Sequence, residues 1–163
     1  MLKRARIIAD FQFGQGSGQA LFLDDTTYSL SKTKRVRQLF SGDVRIATVR
    51  ARDGLLTIGM FGARRLYDYL PSERLRVMVS DEAAPYVAKG GTAFARHVVQ
   101  VDPEIRAGEE ILVVDEEGRL IATGKVLLSP QEMLDLSRGP AVMVREGAEE
   151  VKKEKEKRKT TNT

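Results

Sequence analysis

The sequence predicts an α+β protein built as two small domains. Three observations carry this. Short segments alternate apolar and polar side chains at the period of a half-buried strand, as in Val44-Arg45-Ile46-Ala47-Thr48-Val49-Arg50-Ala51. Helical signals are few and brief, the clearest being Ser129-Pro130-Gln131-Glu132, with a Ser cap, Pro at the first helical position and Glu three residues on. Pro71-Ser72-Glu73-Arg74 interrupts the pattern near the middle and marks a boundary between residues 1–74 and 75–150.

In the front half, Arg6–Phe13 reads as a strand, Gly14-Gln15-Gly16-Ser17-Gly18 as a loop and Ala20–Leu23 as a further strand. The glycine loop is not followed by the GK[ST] that a phosphate-binding loop requires, so a turn is the better reading. Thr27–Ser31 and Val36–Phe40 are extended segments around a basic turn, Lys32-Thr33-Lys34-Arg35. Residues 44–51 and Leu55–Ile58 form a hairpin through Asp53-Gly54, whose residues tolerate the positive φ of a tight turn. A helix from Phe61 to Leu70 follows, with Phe61, Leu66 and Leu70 on its buried face.

In the second half, Leu75–Val79 is a strand. Ser80 or Asp81 caps a short helix that runs through Lys89 and stops at Gly90-Gly91. Phe94–Val101 is a strand. Glu110–Val114 and Leu120–Leu128 make a hairpin around the acidic turn 115–118, and the capped helix runs from Ser129 to Gly139. Ala141–Arg145 is the last strand. Residues 151–163, rich in charge and poor in apolar side chains, are expected to lack regular structure or to fray from a helix end.

Composition excludes several chemistries. There is no Cys, which removes disulfides, thiolate metal sites and cysteine nucleophiles, and suits a cytoplasmic protein. His97 is the single His, so no multi-histidine metal site exists. No apolar run approaches the ~20 residues of a membrane span, and the basic start at Met1–Arg6 lacks the apolar run of a signal peptide. The acidic pairs Asp24-Asp25 and Glu109-Glu110 and the run Asp115-Glu116-Glu117 fall in turns and read as solvated, not catalytic. Residues 1–74 hold 13 Lys and Arg against 7 Asp and Glu; residues 75–150 hold 8 against 14; residues 151–163 hold 6 against 2. The front half and the tail are therefore the parts that attract phosphate.

The second half resembles a PUA domain in the order of its elements. The segments that carry the resemblance are Pro85–Val98, including Lys89-Gly90-Gly91 and Phe94-Ala95-Arg96-His97; Gly108–Val114; Leu120–Gly124; and Gly139–Arg145. They look most like the C-terminal PUA domain of archaeal tRNA-guanine transglycosylase. Phe11–Gly14, Ser31–Arg37, Asp53–Thr57 and Gly62–Leu66 resemble the small α+β domain that precedes PUA in the same enzymes. The resemblance implies a partly closed β-barrel with two short helices, and an RNA acceptor stem and 3′ end as ligand. The (β/α)₈ barrel of the transglycosylase takes about 250 residues, and its zinc needs Cys, so the catalytic machinery of that family is absent. So is the Cys motif of the related archaeosine synthase.

The expectation is a non-catalytic protein that binds RNA, in particular tRNA, with no cofactor and no membrane. It would act as a separately encoded RNA-binding part of a tRNA-modification system, with a catalytic subunit as a candidate partner. The alternative is a protein-interaction module on a PUA scaffold, which the acidic second half favours. The candidate RNA contacts are Lys89, Gly90, Gly91, Phe94, Arg96, His97, Lys125 and Arg145, with Lys32, Lys34, Arg35 and Arg37 in the front domain. For Gly90-Gly91, amide N–H groups facing phosphate stand beside a plain helix cap. For Phe94, base stacking stands beside a core position. Arg64 and Arg65 are open between phosphate contact and solvation; the tail lysines could add nonspecific RNA affinity, but Glu154 and Glu156 dilute them and a solubilising end is the better reading.

Overall fold

A computed structural model describes residues 1–162, in two compact units, Met1–Ser72 and Glu73 onward. The first unit is α+β. Helices α1 (Leu2–Phe13) and α2 (Ser17–Leu21) precede an antiparallel sheet of β1 (Thr27–Leu30), β2 (Val36–Ser41), β3 (Val44–Val49) and β4 (Leu56–Ile58), in that order, and helix α3 (Met60–Tyr69) closes it.

Two expectations for this unit are corrected. Residues 6–13 are helical, not extended. Ala5, Ala9 and Phe13 recur every fourth residue and are all buried, whereas Ile7 and Phe11 are exposed. The helix then replaces a strand at the edge of β4 with a side chain. The Gln12 amide donates to the Leu56 carbonyl at 2.7 Å and accepts from the Leu56 N–H at 2.9 Å, which is the pairing that a neighbouring strand would supply. Residues 17–21 are likewise helical, with Leu21 and Phe22 fully buried. The Asp10 carboxylate accepts from the Gly18 N–H at 2.7 Å and ties this turn to α1.

The second unit is a PUA-type pseudo-barrel. Its strands are β5 (Arg76–Val79), β6 (Ala93–Phe94), β7 (Val98–Val101), β8 (Glu110–Val114), β9 (Leu120–Val126) and β10 (Pro140–Gly147), in the sheet order β6-β10-β9-β8-β5-β7. Among the described residues only β5 and β8 pair in parallel. Helices α4 (Ala84–Ala88) and α5 (Pro130–Asp135) cover it, and α6 (Ala148–Thr161) follows β10. The core is drawn from Val77, Val87, Leu112, Val126, Met133 and Val142.

The strand expected over 94–101 is broken. β6 pairs with β10 at one edge of the sheet and β7 pairs with β5 at the other. The chain must therefore cross from edge to edge, and a single 3-10 turn at Ala95–His97 makes the crossing. It is fastened by the Ala95 N–H donating to the Gly139 carbonyl at 2.9 Å. This crossing is what nearly closes the barrel. The capping box at Ser129 is present in both directions. Neither Ser80 nor Asp81 caps α4, which starts later, at Ala84 behind a turn in which the Ser80 carbonyl accepts from Ala83 and Ala84. The tail, expected to lack regular structure or to fray from a helix end, is helical through Thr161: Glu149 and Glu150 sit in its first turn and Arg158 and Lys159 in its last, the polarity a helix dipole favours. Among the described residues, no helix is long and apolar enough to cross a membrane.

Candidate nucleic-acid interface

The glycine turn after α4 is a cap. The Gly90 N–H donates to the Val87 carbonyl at 2.9 Å, and the Gly91 N–H to the Tyr86 carbonyl at 3.0 Å. The amides that could face phosphate thus already donate within the turn, the helix-cap arrangement weighed beside that role. Gly90 has φ +98°, a backbone that L side chains rarely adopt. Its open side is filled by the Glu150 carboxylate from the first turn of α6, and Gly91 lies against the Tyr86 ring. An anion approaching the turn meets a carboxylate of like sign. The cation of this segment is Lys89, the exposed C-cap residue of α4.

Three other candidates are brought together at the edge crossing. The Arg96 guanidinium lies over the Phe94 ring, 5.6 Å from its centroid, and its Nε donates to His97 Nε2 at 3.1 Å. With Nε2 accepting, the ring proton of His97 sits on Nδ1, which is 3.5 Å from Ser80 Oγ. The Ser80 N–H in turn donates to the His97 carbonyl at 2.8 Å. Arg96 is exposed, Phe94 and His97 half-buried. The arrangement presents one oriented guanidinium beside an aromatic face, the pairing that a phosphate and an unstacked base can use together.

Arg145 has a different commitment. Its Nε and Nη2 grip the Glu110 carboxylate at 2.7–3.0 Å, and the Glu110 side chain is 1% exposed. Lys125 stands on β9 directly across from Glu110 and from Met143 of β10, half-buried.

In the first unit, Lys32, Lys34, Arg35 and Arg37 are all exposed at and after the tip of the β1–β2 hairpin. The Ser31 N–H donates to the Arg35 carbonyl at 2.7 Å, and the Lys34 N–H to the Ser31 carbonyl at 2.9 Å. Lys34 takes φ +59°, uncommon for a residue with a Cβ. Among the described residues none of these four cations forms an ion pair. Arg65 is structural: it donates to the Leu21 carbonyl at 2.6 Å and to Ser41 Oγ at 3.3 Å, and lies over Phe61. Arg64 is exposed and stacks over Tyr67.

Sequence reasoning missed two buried carboxylates by reading the acidic clusters as solvated. Glu110 is one. Asp115 is the other, accepting from the amides of Glu117 and Arg119 and from Arg119 Nε at 2.8–3.0 Å. Burial raises its pKa, but these donors outweigh that and hold it below the ordinary value. The Asp-x-x-Gly turn after the apolar run Ile111–Val114 was the available signal for Asp115. Nothing local marked Glu110, whose partner lies 35 residues away.

Comparison with known proteins places this geometry. Residues 3–73 match the family described as the patch-forming domain C2 of tRNA-guanine transglycosylase, and residues 75–148 match the PUA domain. The chain is a PUA-domain protein. Over 147 residues it is 44% identical to the tRNA-guanine(15) transglycosylase of Methanothermobacter thermautotrophicus, and over 145 residues it is 47% identical to that of Pyrococcus furiosus. These matches cover 90% and 89% of this chain but 22% and 24% of the relatives, so the PUA protein spans less than a quarter of their length. In structure it is similar to a hypothetical protein from Pyrococcus horikoshii (TM-score 0.70, 23% identity, 90% and 89% of the two chains). It is also similar to a conserved PUA domain protein from Thermoplasma acidophilum (TM-score 0.61, 22% identity, 90% of each chain). Helix α6 begins where the PUA match ends.

Proposed function

We propose that this chain is a non-catalytic RNA-binding protein that holds tRNA by its acceptor stem and 3′ end, as the RNA-binding part of a tRNA-modification system. The observation that carries the reading is the serial match: domain C2 over residues 3–73 and PUA over residues 75–148, in the order the sequence resemblance implies. Arg96 beside Phe94, the exposed Lys89 and the cationic tip of the β1–β2 hairpin supply oriented positive charge in both units. A catalytic subunit that performs the modification is the partner this reading requires. The test is a gel-shift titration with a tRNA transcript, an acceptor-stem minihelix and an anticodon stem-loop. The first two should bind, with affinity falling steeply as salt rises. Equal affinity for the anticodon stem-loop removes the acceptor-stem assignment, and no binding at low salt removes the RNA reading.

A second reading, a protein-interaction module, is favoured by one observation: residues 75–150 carry 14 acidic against 8 basic side chains. Recovery of a protein partner by tagged protein that retains no RNA would support it.

A further inference from the structure

We propose that helix α6 is a phosphate-contacting surface that extends the RNA interface beyond the PUA domain, through a stripe of Lys152, Lys155 and Lys159. The proposal rests on the RNA-binding reading above and names an additional surface for it. The amides of the glycine turn are donors to Tyr86 and Val87, and the Glu150 carboxylate sits on Gly90, so the turn itself offers phosphate nothing. Positive charge must come from beside it. The same contact that closes the turn fixes where the next cations stand.

Helix α6 docks by its first turn only. Ala148 and Val151 are half-buried, and Glu150 is held over Gly90 while accepting from the Gly147 N–H at 3.1 Å. Gly147 packs so closely that a Cβ there would lie 2.8 Å from the Gly90 nitrogen. Every described residue after Val151 is exposed. The helix thus starts at the glycine turn and leaves it free on all sides.

Its charges are not evenly spread. At about 100° per residue, Lys152, Lys155 and Lys159 fall within a stripe about 60° wide. Glu149 and Glu156 lie along one flank of the stripe, and Glu150 and Glu154 lie farther round on the other side. The remaining cations, Lys153, Lys157 and Arg158, stand away from the stripe, among or beyond these carboxylates. Three lysines on one line, with no carboxylate among them, suit a run of backbone phosphates, and this is the sequence-independent mode of nucleic-acid contact.

The test compares two charge-matched triple variants of the full chain, titrated with a labelled tRNA transcript at several salt concentrations. One carries Lys152→Glu, Lys155→Glu and Lys159→Glu; the other Lys153→Glu, Lys157→Glu and Arg158→Glu. Both change the net charge equally. The stripe variant should bind about tenfold or more weakly, with a log–log salt slope shallower by roughly 2–3, as expected for the loss of three phosphate contacts. The control should lose far less. Equal losses show that the tail acts by net charge alone and overturn the stripe. Wild-type affinity in both variants overturns a role for α6. Glutamine versions of both triples, checked for helix content by circular dichroism, separate lost contacts from a melted helix; equal behaviour of those two also counts against the stripe. Absence of binding by the unaltered protein instead sinks the RNA-binding reading itself.

Discussion

Arg145 closes a two-pronged ion pair on Glu110, a carboxylate buried in the wall of the PUA barrel. A residue that sequence reasoning placed at the RNA surface is thereby bound to the fold. Removing the guanidinium takes a charged partner from a buried carboxylate. Arg145→Met should lower unfolding stability by on the order of 3 kcal/mol, because a buried carboxylate loses its two-pronged guanidinium partner. Glu110→Leu combined with Arg145→Met should recover most of that, since an apolar pair of similar volume avoids the desolvation cost. Urea unfolding of the wild type and these two variants measures both. A double variant no more stable than Arg145→Met alone would show that the pair is not what Arg145 contributes.

Asp115 staples the β8–β9 turn through two amides and the Arg119 guanidinium. Asp115→Ala should cost about 1–2 kcal/mol at neutral pH, the value of lost hydrogen bonds to a charged acceptor. The sign of the pH dependence follows from the lowered folded pKa. The contribution is complete above the ordinary carboxylate value and is lost as pH falls through the folded one. The stability gap between wild type and Asp115→Ala should therefore be flat from neutral pH down to about pH 4 and close below it. A gap that instead widens in acid contradicts the assignment.

What the sequence made legible was local. The Asp53-Gly54 hairpin, the Ser129 capping box and the strand pair around residues 115–118 each depend on side chains a few residues apart, and each is present. The failures are non-local. Residues 6–13 carry both an alternating and a four-residue pattern, and what decides between them is the contact of Gln12 with Leu56, 44 residues on. The break at Ala95–His97 follows from closing a sheet whose edges are β6 and β7, which no window around His97 contains. In the candidate interface, the Phe94-Arg96-His97 grouping was legible as neighbours in sequence. The commitment of Arg145 and the carboxylate on Gly90 were not, because Glu110 and Glu150 reach them from other elements.

Arg96 is oriented from both sides, by the Phe94 ring and by His97. If it contacts phosphate, Arg96→Gln should weaken tRNA binding roughly uniformly across tRNA sequences and reduce the salt slope by about 1. His97→Ala should give a smaller loss with an unchanged slope, since it removes a positioning contact and no charge. Salt-dependent titrations resolve the two, and an Arg96→Gln variant with wild-type slope removes Arg96 from the interface.

Gly90 and Gly108 both hold a left-handed backbone, at φ +98° and +93°, but only Gly90 has a neighbour on its open side. Alanine at either position carries the left-handed penalty of about 1–2 kcal/mol. Gly90→Ala must also displace the Glu150 carboxylate, and with it the first turn of α6. It should therefore cost more than Gly108→Ala, and it should shift hydrogen exchange in residues 148–151 where Gly108→Ala does not. Glu150→Ala in the Gly90→Ala background should remove the excess and leave only the backbone penalty, which the double-mutant cycle reads directly. Equal costs at the two glycines, with no coupling to Glu150, would mean that α6 is not seated on the turn, and the lysine stripe would then lose the fixed position from which it acts.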